Sequence, residues 1–216
     1  MNWLNWLLTL LYPPKCILCE RLLQKEETDL CRACRSETPE FPSGKRKLQF
    51  LDSFAAVWYY EEYPRLSLLR YKFGGRRHYA QAYGRLLAMK IQKDYPEGFD
   101  FLTWVPVSRI RKFSRGFDQV ELLAYAVGNE LGMAPVPLLK KIRHNRRQSS
   151  IQGPAQRRAN VLGAYRVETA LDIENKRILM LDDILTTGAT ASECARILLT
   201  AGAKEVHCAA MAAPRK

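Results

Sequence analysis

The chain has 216 residues, 47% of them hydrophobic, enough to bury a sizeable core and one small additional module. No apolar run approaches the roughly 20 residues that cross a bilayer, which argues against a helical membrane span. Lys and Arg (34) outnumber Asp and Glu (22), and the net charge of +12 favours polyanions such as pyrophosphate, nucleotides or nucleic acid.

The first twelve residues, M-N-W-L-N-W-L-L-T-L-L-Y, place Trp3, Leu4, Leu7, Leu8 and Leu11 on one helical face, and Trp6 and Leu10 widen the stripe. Residues 1–14 are expected to form an apolar helix, ended by Pro13-Pro14, that docks on the rest of the protein. A peripheral membrane contact is the alternative. The stretch lacks the positive n-region and small-residue cleavage site of a signal peptide. Two knuckles follow, Cys16-x2-Cys19 and Cys31-x2-Cys34, separated by eleven residues. This spacing lets both thiolates of a knuckle reach one ion, and two knuckles complete a tetrahedral S4 site. The alternatives are reduced core thiols or two disulfides, which suit a secreted chain although no secretion signal is visible. Residues 15–38 are read as a zinc-binding module, structural because four thiolates leave no open position. Cys194 and Cys208 fall in a helix pattern and an apolar strand and read as buried small hydrophobes. Reduced cysteines and absent targeting predict a cytoplasmic protein.

Residues 39–52, with Pro39, Pro42, Ser43, Gly44 and the basic triplet Lys45-Arg46-Lys47, read as a linker. The remainder, 53–216, is expected to form the main domain. From Ser53 the pattern turns to strand in F-A-A-V-W-Y-Y. Leu66 to Tyr71 looks helical and is broken at Gly74-Gly75; a long helix runs from about His78 to Ile91. Phe101 to Val107 predicts a second strand, 108–116 a basic loop, and Asp118 to Leu131 a helix. Val136 to Lys141 reads as a short strand and 143–160 as a polar basic segment. A strand ends at Asp182-Asp183, a helix runs to about Thr200, and Glu205 to Ala212 closes the pattern as a strand. Alternating strands and helices predict a mainly parallel α/β sheet, with ligands at the carboxyl ends of its strands.

The densest signal is R-I-L-M-L-D-D-I-L-T-T-G-A-T, Arg177 to Thr190. Ile178 to Leu181 is an aliphatic run of the kind buried in a parallel sheet. It stops at Asp182 and Asp183, which can accept from vicinal ribose hydroxyls. The free N–H groups of the helix that follows favour a phosphate dianion. Gly188 lets the backbone approach it, and the hydroxyls of Thr186, Thr187 and Thr190 can donate to it, with Ala189 contributing backbone N–H. The segment resembles the PRPP-binding motif of type I phosphoribosyltransferases.

With cysteine knuckles ahead of that motif, nearly the whole chain resembles the ComF family of competence-associated, phosphoribosyltransferase-like proteins. The matching elements are the apolar start, the knuckles, Y-K-F-G-G at Tyr71 to Gly75, V-P-V-S at Val105 to Ser108 and R-G-F-D-Q at Arg115 to Gln119. Gln148, Arg157-Arg158, Asn160 and D-D-I-L-T-T-G-A-T complete the match. The family pattern has Asn where Asp118 stands, which places a negative charge near the expected anion site.

The resemblance implies a type I phosphoribosyltransferase fold carrying a zinc module, with PRPP and Mg²⁺ as ligands. It implies pyrophosphate contacts from Val107, Ser108, Arg109, Arg115 and Gly116, and catalytic or ribose-orienting roles for Asp182 and Asp183. Residues 143–160 match the place of a mobile lid; Lys72, Arg146, Arg147, Gln148, Arg157 and Arg158 are the candidates for lid and nucleic-acid contacts. The implied reaction displaces pyrophosphate from C1 of PRPP through an oxocarbenium-like transition state, without a protein nucleophile. Two functions follow. One is single-stranded DNA handling in DNA uptake, alongside competence or DNA-processing proteins, with Tyr71, Phe73, Phe113 and Phe117 available for base stacking. The alternative is an active phosphoribosyltransferase of nucleobase or carbon-source metabolism without a DNA role.

Overall fold

The structure is a computed structural model that describes residues 13–44, 46–143 and 153–215. The expected helix over 1–14 therefore lies almost entirely outside the described residues. The first helix, α1 (Arg32–Glu37), starts on the second knuckle, where Cys31 is the N-cap. Then come β1 (Arg46–Leu48), β2 (Leu51–Tyr59), α2 (Glu62–Phe73), α3 (Tyr79–Asp94) and β3 (Phe101–Trp104). They are followed by α4 (Arg109–Arg115), α5 (Gln119–Leu131), β4 (Leu139–Lys141) and α6 (Pro154–Val161). β5 (Tyr165–Val167), β6 (Arg177–Ile184), α7 (Ala189–Thr200) and β7 (Glu205–Ala213) complete the order.

Five strands form one sheet in the order β1-β2-β7-β6-β3. All neighbours pair in parallel except β1, which runs antiparallel to β2 along one edge. β6 lies between β7 and β3, and Ile178, Leu179, Met180 and Leu181 are all fully buried, as an aliphatic run covered on both faces requires. The parallel register aligns Trp104 with Leu181 and Asp182 with Ala210, so the carboxyl ends of β3, β6 and β7 lie side by side. One face of the sheet packs on a core holding Leu68, Tyr71, Tyr83, Leu87, Leu123 and Val127 of α2, α3 and α5. The other packs on Val161, Tyr165, Cys194, Ala195 and Leu198 of α6, β5 and α7. Cys194 and Cys208 are fully buried, as expected.

The differences from the sequence reading have local causes. The predicted strand over 101–107 stops early: Val105 N–H still donates to Leu181 O at 2.9 Å, and Pro106 then has no donor for the ladder. The basic stretch 108–116, expected as a loop, forms α4. The polar basic segment ends in α6, with a proline at its first turn. The predicted linker contains β1 and the first residues of β2. β5 passed unread because three residues, Y-R-V, carry no period; it pairs antiparallel with β4.

The knuckles dock on α2 and α3. Ile17 and Leu18 pack in the same core as Leu68 and Tyr71. Arg85 grips Asp29 through two bonds of 2.8 and 2.6 Å, the bidentate geometry in which guanidinium–carboxylate pairs are strongest.

Candidate functional site at the carboxyl edge of the sheet

The two acids precede Ile184, the last residue of β6, and consecutive residues of a strand face opposite sides. Asp183 is buried, and both of its carboxylate oxygens are engaged. Lys72 Nζ of α2 lies 2.8 Å from Oδ1, and Gln119 Nε2 of α5 donates to Oδ2 at 3.0 Å. Asp182 is half-buried and accepts from the Asp183 N–H through Oδ1 at 2.8 Å. Burial, and then the adjacent Asp183 carboxylate, hold the Asp182 carboxyl well above the ordinary carboxylate range, with Lys72 opposing. The two acids are therefore different groups. One is fixed by a cation and an amide; the other is pushed up by burial and by its neighbour's charge.

Beyond β6 the chain turns through Thr186 and Thr187 into α7. Gly188 is the N-cap, in the left-handed region at φ 71°, and makes no side-chain cap bond. The first turn of α7 follows directly, and Ala189 N–H donates to Thr187 Oγ1 at 3.4 Å. Leu48 of β1 lies over the turn, and a Cβ on Gly188 would sit 2.5 Å from Leu48 Cδ1.

The neighbouring loop after β3 is stitched down by Asp118. Its Oδ1 caps α5 by accepting from Val120 N–H at 2.9 Å and Glu121 N–H at 3.1 Å, while Oδ2 reaches Val107 N–H at 3.4 Å. Burial raises the Asp118 carboxyl, and these three N–H groups pull it back. Asp118 is thus a structural link between the loop and α5. Ser108 is buried, Arg109 is exposed at the start of α4, and Gly116 follows α4 at φ 74°. Arg115 lies over the ring of Phe73, 4.9 Å from its centroid.

Of the residues expected on a lid or nucleic-acid surface, Lys72 is helical and belongs to the acid cluster. Arg157 and Arg158 lie on α6, and Arg146, Arg147 and Gln148 are outside the described residues. The four aromatics expected together divide: Tyr71 and Phe117 are 0% and 9% exposed, against 60% for Phe73 and 92% for Phe113. Only the last two present faces to solvent. Gln119 had a place in R-G-F-D-Q but no role; its position after an N-cap aspartate was the available signal. Ser53 Oγ, His207 Nδ1 and Glu205 also line up, with 2.8 Å from Ser53 to His207 and 3.2 Å from His207 Nε2 to Glu205. Ser53 is fully buried beside Tyr95, so this network braces the sheet and offers no accessible nucleophile.

The four knuckle sulfurs lie within 4.8 Å of one another, with Cys19 and Cys31 at 3.7 Å. A tetrahedral zinc with Zn–S bonds of about 2.3 Å places its sulfurs about 3.8 Å apart, so the cage has the size of the ion. Burial opposes ionisation of Cys31, but the Cys34 N–H and the other thiols bring its pKa down to about 7, while burial and the other thiols push Cys34 up. Four converging thiols at this spacing fit a tetrahedral thiophilic ion, and the set holds structural zinc. Among the described residues no helix is long and apolar enough to cross a membrane.

Parallel sheet, acid-ended β6 and the glycine turn into α7 define a type I phosphoribosyltransferase fold with an appended four-cysteine zinc ribbon. Residues 120–216 match the phosphoribosyl transferase domain family and residues 7–46 the double zinc ribbon domain family. DNA utilization protein YhgH of Salmonella typhimurium is 30% identical over 202 residues, covering 89% of this chain and 87% of that protein. Competence protein F of Haemophilus influenzae is 23% identical over 219 residues, covering 89% and 94%. Competence protein ComFC of Streptococcus pneumoniae is 34% identical over 154 residues, covering 71% and 65%. Among solved structures, glutamine PRPP amidotransferase from B. subtilis matches with a TM-score of 0.44 and 23% identity, over 66% of this chain and 30% of that one. The chain belongs to the ComF family.

Proposed function

We propose that this protein binds PRPP at the carboxyl edge of its sheet and handles single-stranded DNA during DNA uptake, in the cytoplasm. The observation that carries the reading is the meeting, at the carboxyl edge of the sheet, of the Asp182–Asp183 pair of β6 with the start of α7 behind Gly188 at φ 71°. In this reading 53–216 is the phosphoribosyltransferase-like domain, 15–38 the zinc module and 39–52 the connection between them.

The turn Thr186 to Thr190 takes the 5-phosphate, on N–H groups and hydroxyls backed by the helix dipole. Asp182 and Asp183 orient the ribose hydroxyls. Val107, Ser108, Arg109, Arg115 and Gly116 receive the pyrophosphate, with guanidinium groups matching its oxygens. Carboxylates are hard oxygen donors of the kind Mg²⁺ takes; with both Asp183 oxygens held by Lys72 and Gln119, Asp182 is the acid that would hold a Mg²⁺ arriving with PRPP, which neutralises charge on the diphosphate. Lys72 adds a fixed positive charge to the same corner. The DNA role is supported by the names of the relatives, competence protein F and DNA utilization protein, and by the exposed Phe73 and Phe113 among basic residues. Arg157 and Arg158 of α6 are further candidates for nucleic-acid contact, as are Arg146, Arg147 and Gln148, which lie outside the described residues. Competence or DNA-processing proteins are the expected protein partners.

Calorimetry with PRPP and Mg²⁺ tests the site: Asp182→Ala/Asp183→Ala abolishes binding, and wild-type affinity in that variant would refute the assignment. Salt-sensitive binding of a single-stranded oligonucleotide is expected alongside it. Pyrophosphate release on adding single-stranded DNA, or one of a panel of bases, would mark turnover and name the acceptor.

A further inference from the structure

Helix α2 holds on to two distant places at once. At one, Ser67 Oγ donates to the carbonyl of Ile17, and Arg70 Nη2 donates to the carbonyls of Ile17, at 3.1 Å, and Leu18. Those two carbonyls belong to the residues between Cys16 and Cys19, inside the first zinc knuckle. The Arg70 guanidinium also lies 3.7 Å from Glu20, just past the knuckle. At the other, the next two residues of the same helix reach the acid cluster. Tyr71 Oη donates to the Gln119 carbonyl at 2.6 Å, and Lys72 Nζ lies 2.8 Å from Asp183 Oδ1, with Gln119 Nε2 on Oδ2. The helix ends one residue later, at Phe73, and Gly74 and Gly75 follow it.

We propose that Ser67 and Arg70 are positioning residues through which the zinc-filled knuckle seats Lys72 and Gln119 on Asp183, so that zinc occupancy sets the affinity of the distant acid pair for PRPP. The physical link is direct. Zinc fixes the turn from Cys16 to Cys19 and with it the direction in which the Ile17 and Leu18 carbonyls point. A half-buried guanidinium whose Nη2 is bonded to both carbonyls cannot shift without losing those charge-assisted bonds. A hydrogen-bonded helix transmits that constraint over the two residues to Lys72. Loss of the metal frees the knuckle, lets α2 slide or roll, and unseats the contacts that define the Asp183 carboxylate. The inference rests on the ribose-site reading of Asp182 and Asp183.

Arg70→Met removes the guanidinium while keeping the aliphatic stem, and the full-length protein is measured in four ways: zinc content, thermal midpoint, calorimetric affinity for PRPP with Mg²⁺, and amide hydrogen exchange. The expected result is one zinc per chain, a native fold, and PRPP affinity reduced at least about fivefold, the low end of coupling between distinct sites. Exchange should quicken in 70–73 and 119–123 ahead of the rest of the chain. Arg70→Lys, which keeps one cationic donor, should recover part of the affinity. Zinc removal by a chelator under reducing conditions should lower the affinity of the wild type and change that of Arg70→Met little. Wild-type PRPP affinity in a zinc-loaded, folded Arg70→Met protein overturns the inference. Asp182→Asn/Asp183→Asn separates the two claims: wild-type affinity there overturns the ribose-site reading, whereas loss there with none in Arg70→Met overturns the coupling alone.

Discussion

Lys72 and Asp183 form an ion pair of 2.8 Å whose side chains are only 17% and 7% exposed. Gln119 takes the second carboxylate oxygen, so the pair is both charge-balanced and hydrogen-bonded, the condition under which buried ions are tolerated. Breaking such a pair by removing one partner leaves an uncompensated charge. Lys72→Met is therefore expected to destabilise the protein by about 3–5 kcal/mol in equilibrium urea unfolding, and Lys72→Met/Asp183→Asn to recover most of that loss. Additive losses in the four-protein cycle would show that the two groups do not act together.

The acid pair also shapes the pH dependence of stability. Asp182 has its pKa raised by burial and by Asp183, and Asp118 is raised by burial, so the folded protein retains protons that the unfolded chain releases. Stability from these groups is present on the acid side and declines as pH rises from about 4 through the raised folded values. Asp182→Asn keeps the acceptor for the Asp183 N–H but removes the ionisation. Its thermal midpoint should exceed that of the wild type at pH 7.5 by at least about 2–4 °C, the shift that ~1 kcal/mol produces at this chain length. The advantage should shrink toward pH 5, and PRPP affinity should be lost throughout. A variant that tracks the wild type at every pH would remove Asp182 as the source of the slope.

The parallel core was legible because Ile178 to Leu181 and the two acids after them are local signals, and a strand buried on both faces writes itself as an unbroken aliphatic run. The knuckles were legible for the same reason: their spacing is the geometry. What stayed hidden depends on residues far apart in the chain. Gln119 and Lys72 gain their roles only when α5 and α2 cross the carboxyl end of β6; Lys72 stands out in sequence as a cation for an anion, not as the partner of Asp183, and Gln119 does not stand out in its own segment. The segment that forms α4, R-I-R-K-F-S-R, reads as a loop in sequence because it is short and basic with no apolar face to bury. Tyr71 and Phe117 looked equivalent to Phe73 and Phe113 because composition does not distinguish a ring packed on Tyr83 from one facing water.

Gly188 combines two requirements, a φ of 71° and the approach of Leu48, whose Cδ1 would stand 2.5 Å from an added Cβ. Gly188→Ala should cost at least about 1–2 kcal/mol from the left-handed backbone alone, with the contact adding to it. Adding Leu48→Ala relieves the contact but not the backbone term, so the double variant should regain only part of the stability by chemical unfolding. PRPP affinity should remain impaired in both, because the N–H groups of α7 are displaced. Full recovery on removing Leu48 would mean that the conformation of residue 188 is unimportant.

Zinc should be present at one ion per chain in protein purified under reducing conditions, and Cys19→Ser should lower both metal content and stability. The knuckle packs Ile17 and Leu18 into the core with Leu68 and Tyr71, so its collapse uncovers apolar surface on the main domain. A fall in thermal midpoint of about 5–10 °C is expected, equivalent to ~2–3 kcal/mol or more. Cys194→Ser and Cys208→Ser should leave the zinc stoichiometry unchanged, since both thiols are buried away from the cage. Metal content well below one in the wild type would overturn the zinc assignment.

Phe113 projects from the short basic helix α4 with 92% of its surface exposed, close in sequence to Arg115, which itself stacks on Phe73. A large ring held in water beside cations has no role in folding and suits the face of an unpaired base. Phe113→Ala should weaken binding of an oligo-dT strand by about 5- to 150-fold, the loss of about 1–3 kcal/mol that one base–aromatic stack contributes. Unfolding free energy should stay within about 0.5 kcal/mol of the wild type, as for surface positions that pack against nothing. Phe117→Ala should do the reverse: its ring is buried against Tyr71 and under Arg77, so about 3–5 kcal/mol of stability is lost. Fluorescence anisotropy across a salt series separates the ring from the charges. Phe113→Ala lowers affinity at every salt concentration without changing the slope, whereas Arg115→Ala reduces the slope by about one phosphate contact. An unchanged affinity in Phe113→Ala would exclude this face of α4 from the nucleic-acid path.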